Sequence, residues 1–419
     1  MDRLKILFVW ILLTVLIPID SQAQNKESLT FFGAAQIWTR YATLNPGSTI
    51  DGIPQNNVWA FSLRRYRLGV KGSVNESLRY CIQLGNNNLN QFNKDIPPKL
   101  LDAYIDYDIN SHISLAVGKH AYTGLTRYAA PSTFHALGTD INYAGTPFLN
   151  VQDDFFRKLG IALHGQTGKW DYRLILNKPF SGANSALGTQ ARFINDPRSV
   201  FTSGYLKYQF LDKEGLSSAF SPWTYHGSKQ IFNIGGGFLY ENKATATINN
   251  GDTLSHAAKS FAVDILYERT HHSGCTWTFS ASFIHHNLGP NFIRSIGANN
   301  AANGATSSVV YNGKGNAFPT TGSGNILLSY AAFHKSLSTK SGKNIGVQPY
   351  IIAEYANFDA LNDKMIWYEI GCSYLLNGHA SKFTIGFQNR PIFINQGDEI
   401  KASSRAGMVV LQYEVKFKH

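Results

Sequence analysis

The chain has 419 residues and a formal net charge of +11, with 16% charged and 13% aromatic side chains. Such a composition is poor in charge for a soluble protein and rich in the aromatic residues that strands favour. The basic balance comes without a nucleic-acid-binding motif, so we expect no nucleic-acid partner. Three cysteines, at 81, 275 and 372, cannot all pair within one chain and fit no metal-binding spacing, so we expect no cofactor and no metal.

The N-terminus has the pattern of an export signal. Two basic residues, Arg3 and Lys5, precede an apolar run over 6–19, and small residues flank the end of the motif at Ala23. The sequence therefore predicts a cleaved secretory signal peptide over 1–23 and a mature chain over 24–419. The alternative is a retained membrane helix, for which the run is short. No apolar run of about 18 residues follows, so we expect no membrane-spanning helix in the mature chain.

Alternation of apolar and polar residues, the period of a half-buried strand, recurs along the mature chain between turn-rich stretches. The second such segment, 58–72, changes phase near Arg64, which predicts a β-bulge. The last, 409–417, has one wholly apolar face. In chain order, the segments centre on 29–37, 58–72, 78–84, 102–108, 113–117, 159–163, 170–176, 206–210, 232–240, 261–267, 277–283, 326–330, 347–355, 366–374, 383–387 and 409–417.

These segments predict a closed barrel. Lipid satisfies no backbone hydrogen bond, so a membrane protein without helices must close its sheet, and here the last strand can pair with the first. Short connections near 75, 110, 168, 273 and 377 alternate with long ones near 39–57, 88–99, 121–155, 179–199, 242–257, 288–323 and 392–404. Two connections break this rule: 211–230 is long and 358–363 is short. The predicted fold is all-β: a transmembrane antiparallel β-barrel of about 16 strands with short periplasmic turns, long outer loops and one inward-folded loop.

The connection 121–155 is the candidate for the inward-folded loop that narrows the lumen. Small residues on the inner parity of the flanking strands, including Ala116, Gly160 and Ala162, leave room for it. The alternative is that these are small wall residues without a partner. The connection 288–323 is as long, but its run of Asn, Gly, Ala and Ser predicts a mobile, external loop.

Charged residues assigned to the lumen are the candidate functional residues. Basic and acidic side chains are nearly balanced there, but basic ones cluster on the second and third strands, and rings of basic side chains favour anions. The alternative is that they are solvated lumen residues paired with one another. The candidate pore-lining residues are Arg65, Arg67, Lys71, Arg79, Arg127, Arg157, Lys158, Arg173, Asp102 and Asp106.

Three stretches resemble the phosphate-selective porin O and P family. They are Arg-Arg-Tyr-Arg-Leu-Gly-Val-Lys-Gly at 64–72, Asp-Ala-Tyr-Ile-Asp-Tyr at 102–107 and Ala-Val-Gly-Lys at 116–119. The signal and the loops look like those of the Bacteroidota branch of the family. The resemblance implies a sixteen-stranded outer-membrane porin, often a homotrimer, whose third outer loop folds inward. Its partners would be outer-membrane lipid and small hydrophilic solutes or inorganic anions. Because 121–155 offers only Arg127 against Asp140, Asp153 and Asp154, we expect a general or mildly anion-preferring channel.

Two other classes of function remain open from the residues. A barrel enzyme of the phospholipase or protease type needs Ser, His and an acid together at one rim. The paired histidines at 271–272 and 285–286 bracket one strand and lie roughly 43 Å apart, so they cannot share a metal ion. An adhesion or secretion-accessory barrel would act through its outer loops and would be supported by a plugged lumen. We expect a channel and not an enzyme.

Overall fold

The computed structural model describes residues 27–183, 185–215, 218–271, 274–306, 310–337 and 345–419. The expected signal peptide and His272 lie outside these residues. Within them, sixteen long strands form one antiparallel sheet, each strand paired with its neighbours in the chain. They are β1 Ser28–Thr43, β2 Asn57–Ser73, β3 Leu78–Leu89, β4 Lys99–Asp108, β5 Ile113–His120, β6 Lys158–Thr167, β7 Trp170–Lys178, β8 Phe201–Gln209, β9 Ile231–Asn249, β10 Asp252–Thr270, β11 Cys275–Asn287, β12 Gly324–Leu337, β13 Ile345–Phe358, β14 Met365–Leu375, β15 Ser381–Gln396 and β16 Glu399–Lys418.

The sheet closes on itself, as the sequence predicted. Strand β1 pairs with β2 on one side and with β16 on the other, with Gly33 opposite Phe417 and Tyr41 opposite Val409. On the inner face of this seam, the Gln36 amide donates to Glu414 over 2.7 Å. Closure leaves neither terminal strand with an unpaired edge.

The two faces of the barrel wall differ in polarity because side chains alternate along each strand. Large apolar residues on the outer face are exposed in the isolated chain, for example Trp59 at 67% and Phe61 at 68%. Outward aromatic side chains contact one another near both rims, as Tyr41 does with Trp59 at one end and Trp170 with Tyr208 at the other. An apolar outer band bounded by aromatics is the surface that a bilayer covers.

Connection lengths follow the predicted asymmetry, with two corrections. Short turns at 74–77, 109–112, 168–169 and 376–380 mark one rim, which we call the short-turn rim. The expected long connections at 242–257 and 392–404 are wrong: strands β9 and β10 pair as far as Asn249 and Asp252, and β15 and β16 as far as Gln396 and Glu399. The prediction of strand ends depended on alternating apolar residues, and the polar extensions of these strands lack that alternation. Short strands also occur in the connections, at Ser48–Ile50, Ile53–Pro54, Arg192–Phe193, Ile293–Ile296, Gly304–Ala305 and Phe318–Gly322.

The structure places a β-bulge in β2 at the point where the sequence changes phase. In the β1–β2 ladder Gln36 pairs with Arg65 and Ile37 pairs with Leu63, so Arg64 is the extra residue. Two adjacent arginines, Arg64 and Arg65, consequently point into the barrel, where both are buried. A β-bulge redirects side chains in this way, and it leaves one residue without a partner on the neighbouring strand. The described residues contain no helix long and apolar enough to cross a membrane.

Candidate functional site

The connection 121–155, the inner loop, lies inside the barrel, and most of its residues are buried. Its backbone oxygens accept hydrogen bonds from inward side chains on well-separated strands: Thr133 from Gln36 on β1, and Ala136 from Lys382 on β15. On the opposite wall, His286 of β11 bonds to the carbonyl of Ala144. The loop therefore spans the lumen and divides it.

Close backbone packing fixes the start of the inner loop against the wall. The Leu125 amide donates to the carbonyl of Gly204 on β8 over 3.1 Å. A Cβ on Gly237, the next strand along, would lie 2.2 Å from the Gly204 oxygen and about 3 Å from the Leu125 backbone. Gly237, the last residue of the Gly-Gly-Gly run at 235–237, thus provides room for the loop. The small residues noted in the sequence, Ala116 and Ala162, pack in one cluster with Tyr122 of the loop.

A second inward segment, 218–230, enters from the short-turn rim and joins the inner loop. Ser132 donates its amide to the Ser221 carbonyl over 2.9 Å, and the Ser221 amide donates to Ala130 over 2.9 Å. Trp223 is fully buried and stacks on Tyr330 of β12 with ring centroids 5.1 Å apart. The sequence analysis expected one inward loop; the unusual length of 211–230 was the signal that could have indicated this second one.

A buried carboxylate at Glu214 links the two inward segments to the wall. It accepts hydrogen bonds from Arg127 of the inner loop over 2.9 Å and from Lys207 of β8 over 2.5 Å. It also accepts from the Tyr225 hydroxyl over 2.7 Å. Burial alone would raise the pKa of Glu214, but Arg127 and Lys207 hold that pKa well below its usual range. Arg127, expected to line the pore, is therefore neutralised within this network.

Arg64 and Arg65 share one carboxylate, that of Asp140 at the centre of the inner loop. Arg64 Nη2 lies 2.8 Å from Asp140 Oδ2, and Arg65 binds the other oxygen. The Tyr143 hydroxyl and the Ile141 amide donate to the same carboxylate over 3.1 and 2.8 Å. Burial would raise the pKa of Asp140, but the two guanidinium groups lower it to about 2. Asp140 is thus ionised at neutral pH and offsets one of two positive charges.

Arg67 is buried with neutral partners only. Its guanidinium donates to the carbonyls of Tyr66 and Asn86 over 2.6 and 2.9 Å and to Asn87 Oδ1 over 2.7 Å. Among the described residues it makes no ion pair. Lys71, two positions further along the same face, is exposed and also has no ion pair within the described chain. A buried guanidinium without a counter-charge is unfavourable unless an anion approaches it.

The remaining candidate residues are mostly ion-paired within the wall. Arg157 lies 2.7 Å from Asp102, and Lys158 lies 3.8 Å from Asp153. Arg79 pairs with Asp106 over 3.0 Å close to the short-turn rim, away from the other arginines. Arg173 donates to the carbonyl of Ala219 over 2.9 Å. The structure thus brings Arg65, Arg67, Lys71, Arg157 and Asp102 to one region and places Arg79, Arg127, Lys158, Arg173 and Asp106 elsewhere.

The open part of the lumen is a cavity of about 590 Å³ between the inner loop and the wall formed by β1–β3 and β16. Phe155, Phe156 and Phe220 give it an apolar side. Among the described residues no carboxylate lines it, although Asp140 and Asp102 lie behind the arginines that do. The basic residues of the lining are Arg64, Arg65, Arg67, Lys71, Arg157, Lys416 and Lys418.

Sequence reasoning missed Arg64, whose parity the bulge reverses, and misjudged the connection 288–323. The expectation that this connection is external is wrong: Asn299 is buried and its side chain donates to Ser62 Oγ over 2.7 Å. Its backbone also accepts a hydrogen bond from Arg40. The Asn-rich composition correctly indicated a loop. It did not indicate that the amide groups of this loop would form hydrogen bonds with inward side chains of the wall.

Metal and nucleophile chemistry receive little support from the described side chains. No group of three or more His, Cys, Asp or Glu among them is arranged to hold a metal ion. Two Ser–His pairs occur, Ser132 with His135 and Ser260 with His286, each at 2.7 Å. The other nitrogen of His135 faces Lys416, and that of His286 faces a carbonyl oxygen. Neither histidine has the carboxylate that orients it in a catalytic triad.

A closed sixteen-stranded barrel with an apolar outer band and a polar, partly filled lumen defines an outer-membrane channel protein. The sequence profile of the family described as phosphate-selective porin O and P matches residues 41–130. This match confirms, for residues 41–130, the resemblance found in the sequence. No curated protein matches the sequence.

Solved outer-membrane proteins share the fold at low sequence identity. The chain is similar to OprB of Pseudomonas putida, with a TM-score of 0.53, 9% identity and coverage of 93% of this chain and 94% of that one. It is similar to the outer membrane channel DcaP of Acinetobacter baumannii, with a TM-score of 0.52, 12% identity and coverage of 96% and 100%. OmpT of Vibrio cholerae in its trimer form gives a TM-score of 0.50, 9% identity and coverage of 93% and 99%. These likenesses establish the barrel fold.

Proposed function

We propose that the protein is a porin for the passive diffusion of small hydrophilic solutes, with a preference for inorganic oxyanions such as phosphate. The observation that carries the preference is Arg67, a buried guanidinium with neutral partners beside a cavity that no carboxylate of the described residues lines. Basic linings favour anions, and arginine binds phosphate in a bidentate manner. The family description points to the same class of solute.

The proposal extends to the export of the protein, its oligomeric state, the constriction of its lumen and its lack of enzymatic activity. Residues 1–23 would act as a cleaved export signal, and the barrel would assemble as a homotrimer, as the trimer form of the similar Vibrio cholerae OmpT suggests by analogy. The inner loop 121–155 would be the constriction. We propose no enzymatic activity, since the two Ser–His pairs lack an orienting carboxylate.

A second candidate function is an adhesion or secretion-accessory barrel. Two segments, one from each rim, fill much of the lumen and bond to each other at Ser132 and Ser221. A lumen filled in this way would be expected of a barrel that works through its outer loops. Conductance separates the two functions, because a plugged barrel passes no ohmic current.

Substitution of Arg67 by glutamine should weaken the block of current by phosphate. A charge-assisted hydrogen bond contributes about 1.5–3 kcal/mol, so the phosphate concentration for half-block should rise roughly tenfold or more. The measurement is single-channel current in a planar bilayer under a chloride gradient, with phosphate then added. The control is Arg198→Gln, an exposed residue of an outer connection.

Wild-type current that leans towards anions and is blocked by phosphate, with Arg198→Gln unchanged, supports the proposal. Current indifferent to phosphate would leave a general porin without the oxyanion preference. An absence of current in refolded wild-type protein would contradict the porin proposal and favour the adhesion or secretion function.

A further inference from the structure

Four histidines from four different elements meet where the two inward segments contact the wall. They are His135 of the inner loop, His226 of the second inward segment, His334 of β12 and His379 of the turn between β14 and β15. Ring centroids of His135 and His379 are 4.5 Å apart, those of His379 and His226 are 3.8 Å apart, and those of His226 and His334 are 5.2 Å apart. The rings form one continuous row, the histidine row.

Several ring nitrogens of this row are buried without a hydrogen-bond partner. They are Nε2 of His226, Nδ1 of His379 and both nitrogens of His334. Rings of His226 and His379 stack nearly parallel, with an interplanar angle of 20°, so their nitrogens do not converge on a single point as metal ligands would. This geometry favours uncharged histidine rings packed against one another.

Among the described residues, the charged groups around the row are two lysines and two carboxylates, and each carboxylate already has a partner. Lys416 of β16 lies 3.2 Å from His135 Nε2, and Lys382 of β15 binds the adjacent Ala136 carbonyl. Glu414 lies 3.9 Å from Lys382. Glu268 of β10 is already occupied by the Thr224 hydroxyl and by the amides of Tyr225 and Gly227. A proton added to the row would therefore meet cations and other histidines.

We propose that the histidine row is a proton-operated gate, which holds the two inward segments against the wall at neutral pH and releases them below about pH 6. The inference rests on the proposed function, since it regulates the same lumen. Protonation would place up to four positive charges in contact, next to Lys382 and Lys416. Release of the segments would widen the lumen.

The direction of the pH effect follows from the pKa values of the docked and released states. Burial first, and then Lys416 and Lys382, lower the pKa of His135 to about 3. Burial and neighbouring cations and histidines hold the pKa of His226 and His379 well below the usual value. In the released state these rings meet water and titrate near 6.5. The docked state keeps its full stability above about pH 6.5 and loses it as the pH falls.

The expected steepness follows from proton uptake. Each proton bound only in the released state changes the ratio of released to docked protein about tenfold per pH unit. Two or more such protons would change the ratio about a hundredfold or more per unit. A titration of this steepness distinguishes the row from a single exposed histidine.

The test is single-channel conductance between pH 7.5 and 4.5, expressed as the ratio of acid to neutral conductance within each protein. His334→Phe retains a ring and loses no hydrogen bond, and asparagine at 226 tolerates the positive φ of 52° there. Wild type should show a steep rise below pH 6.5, His334→Phe a shallower one, and the double variant with His226→Asn little or none. The control His112→Gln, at an exposed turn on the short-turn rim, should behave as wild type.

A cross-link separates movement of the segments from a change of charge alone. Pro131 and Ser221 pair in an isolated bridge between the two segments, so Pro131→Cys with Ser221→Cys offers a disulfide. The oxidised variant, in which the two segments cannot separate from each other, should show a smaller rise in conductance at acid pH, and reductant should restore the full rise. A pH-independent wild-type conductance, or a rise that persists in the histidine double variant, would overturn the gate. Absence of current at every pH would instead overturn the proposed function.

Discussion

Replacing Asp140 by asparagine should make the channel more selective for anions than the wild type. The Asp140 carboxylate is shared by Arg64 and Arg65, and its pKa of about 2 keeps it ionised at neutral pH. Asparagine has a similar shape but no charge, so one further positive charge would face the cavity. With charge-assisted bonds contributing about 1.5–3 kcal/mol, the half-blocking phosphate concentration should fall roughly tenfold.

The matched control for this substitution is Asp154→Asn, in the same loop. Asp154 pairs with Lys119 over 2.7 Å and does not line the cavity. Reversal potential in a chloride gradient and phosphate titration of the current measure both variants. If Asp140→Asn and Asp154→Asn had the same anion selectivity, this would show that Asp140 does not control the electrostatic potential in the cavity.

Replacing Glu214 by glutamine should loosen the contact between the two inward segments and increase the unit conductance. Arg127 and Lys207 would each lose their closest carboxylate partner while remaining buried. Removing one partner of a buried ion pair typically lowers the free energy of unfolding by about 3–5 kcal/mol, because the remaining charge stays uncompensated. Trypsin should then cleave protein in lipid after Lys213, which precedes the second inward segment, or after Lys229, near the end of that segment.

A second substitution tests whether the uncompensated charge is the cause. Arg127→Gln combined with Glu214→Gln removes both partners, and the double variant should recover part of the protease resistance. Arg198→Gln, which breaks an exposed pair with Asp196, should leave conductance and cleavage unchanged. If Glu214→Gln had the conductance and protease resistance of the wild type, this would contradict the proposal that the Glu214 network holds the inward segments in place.

Apart from Arg64, the side of the wall on which the lumen charges of β2 lie could be predicted from the sequence, because alternation in a strand is a local property. The opposite faces of Arg67 and Leu68, and the pairing of the last strand with the first, follow from that period and from the need to close the sheet. The bulge at Arg64 was also visible as a change of phase. The change of phase did not by itself indicate that a second arginine enters the lumen.

The partners of the lumen charges could not be predicted, because they join residues far apart in the chain. Arg65 and Asp140 are separated by 75 positions, and Arg127 and Glu214 by 87. No local pattern identifies which loop carboxylate meets which wall arginine. The histidine row likewise depends on four elements that only the closed barrel brings together.

The seam between β1 and β16 has a consequence for the assembly of the protein. Gln36 of β1 donates both to Glu414 of β16 and to the Thr133 carbonyl of the inner loop, over 2.7 and 2.9 Å. From β16, Lys416 contacts His135 of the same loop. The inner loop thus contacts both strands of the seam, so docking of the loop and the pairing that closes the sheet stabilise each other. Loss of these contacts would therefore weaken the closure of the barrel as well as the placement of the loop.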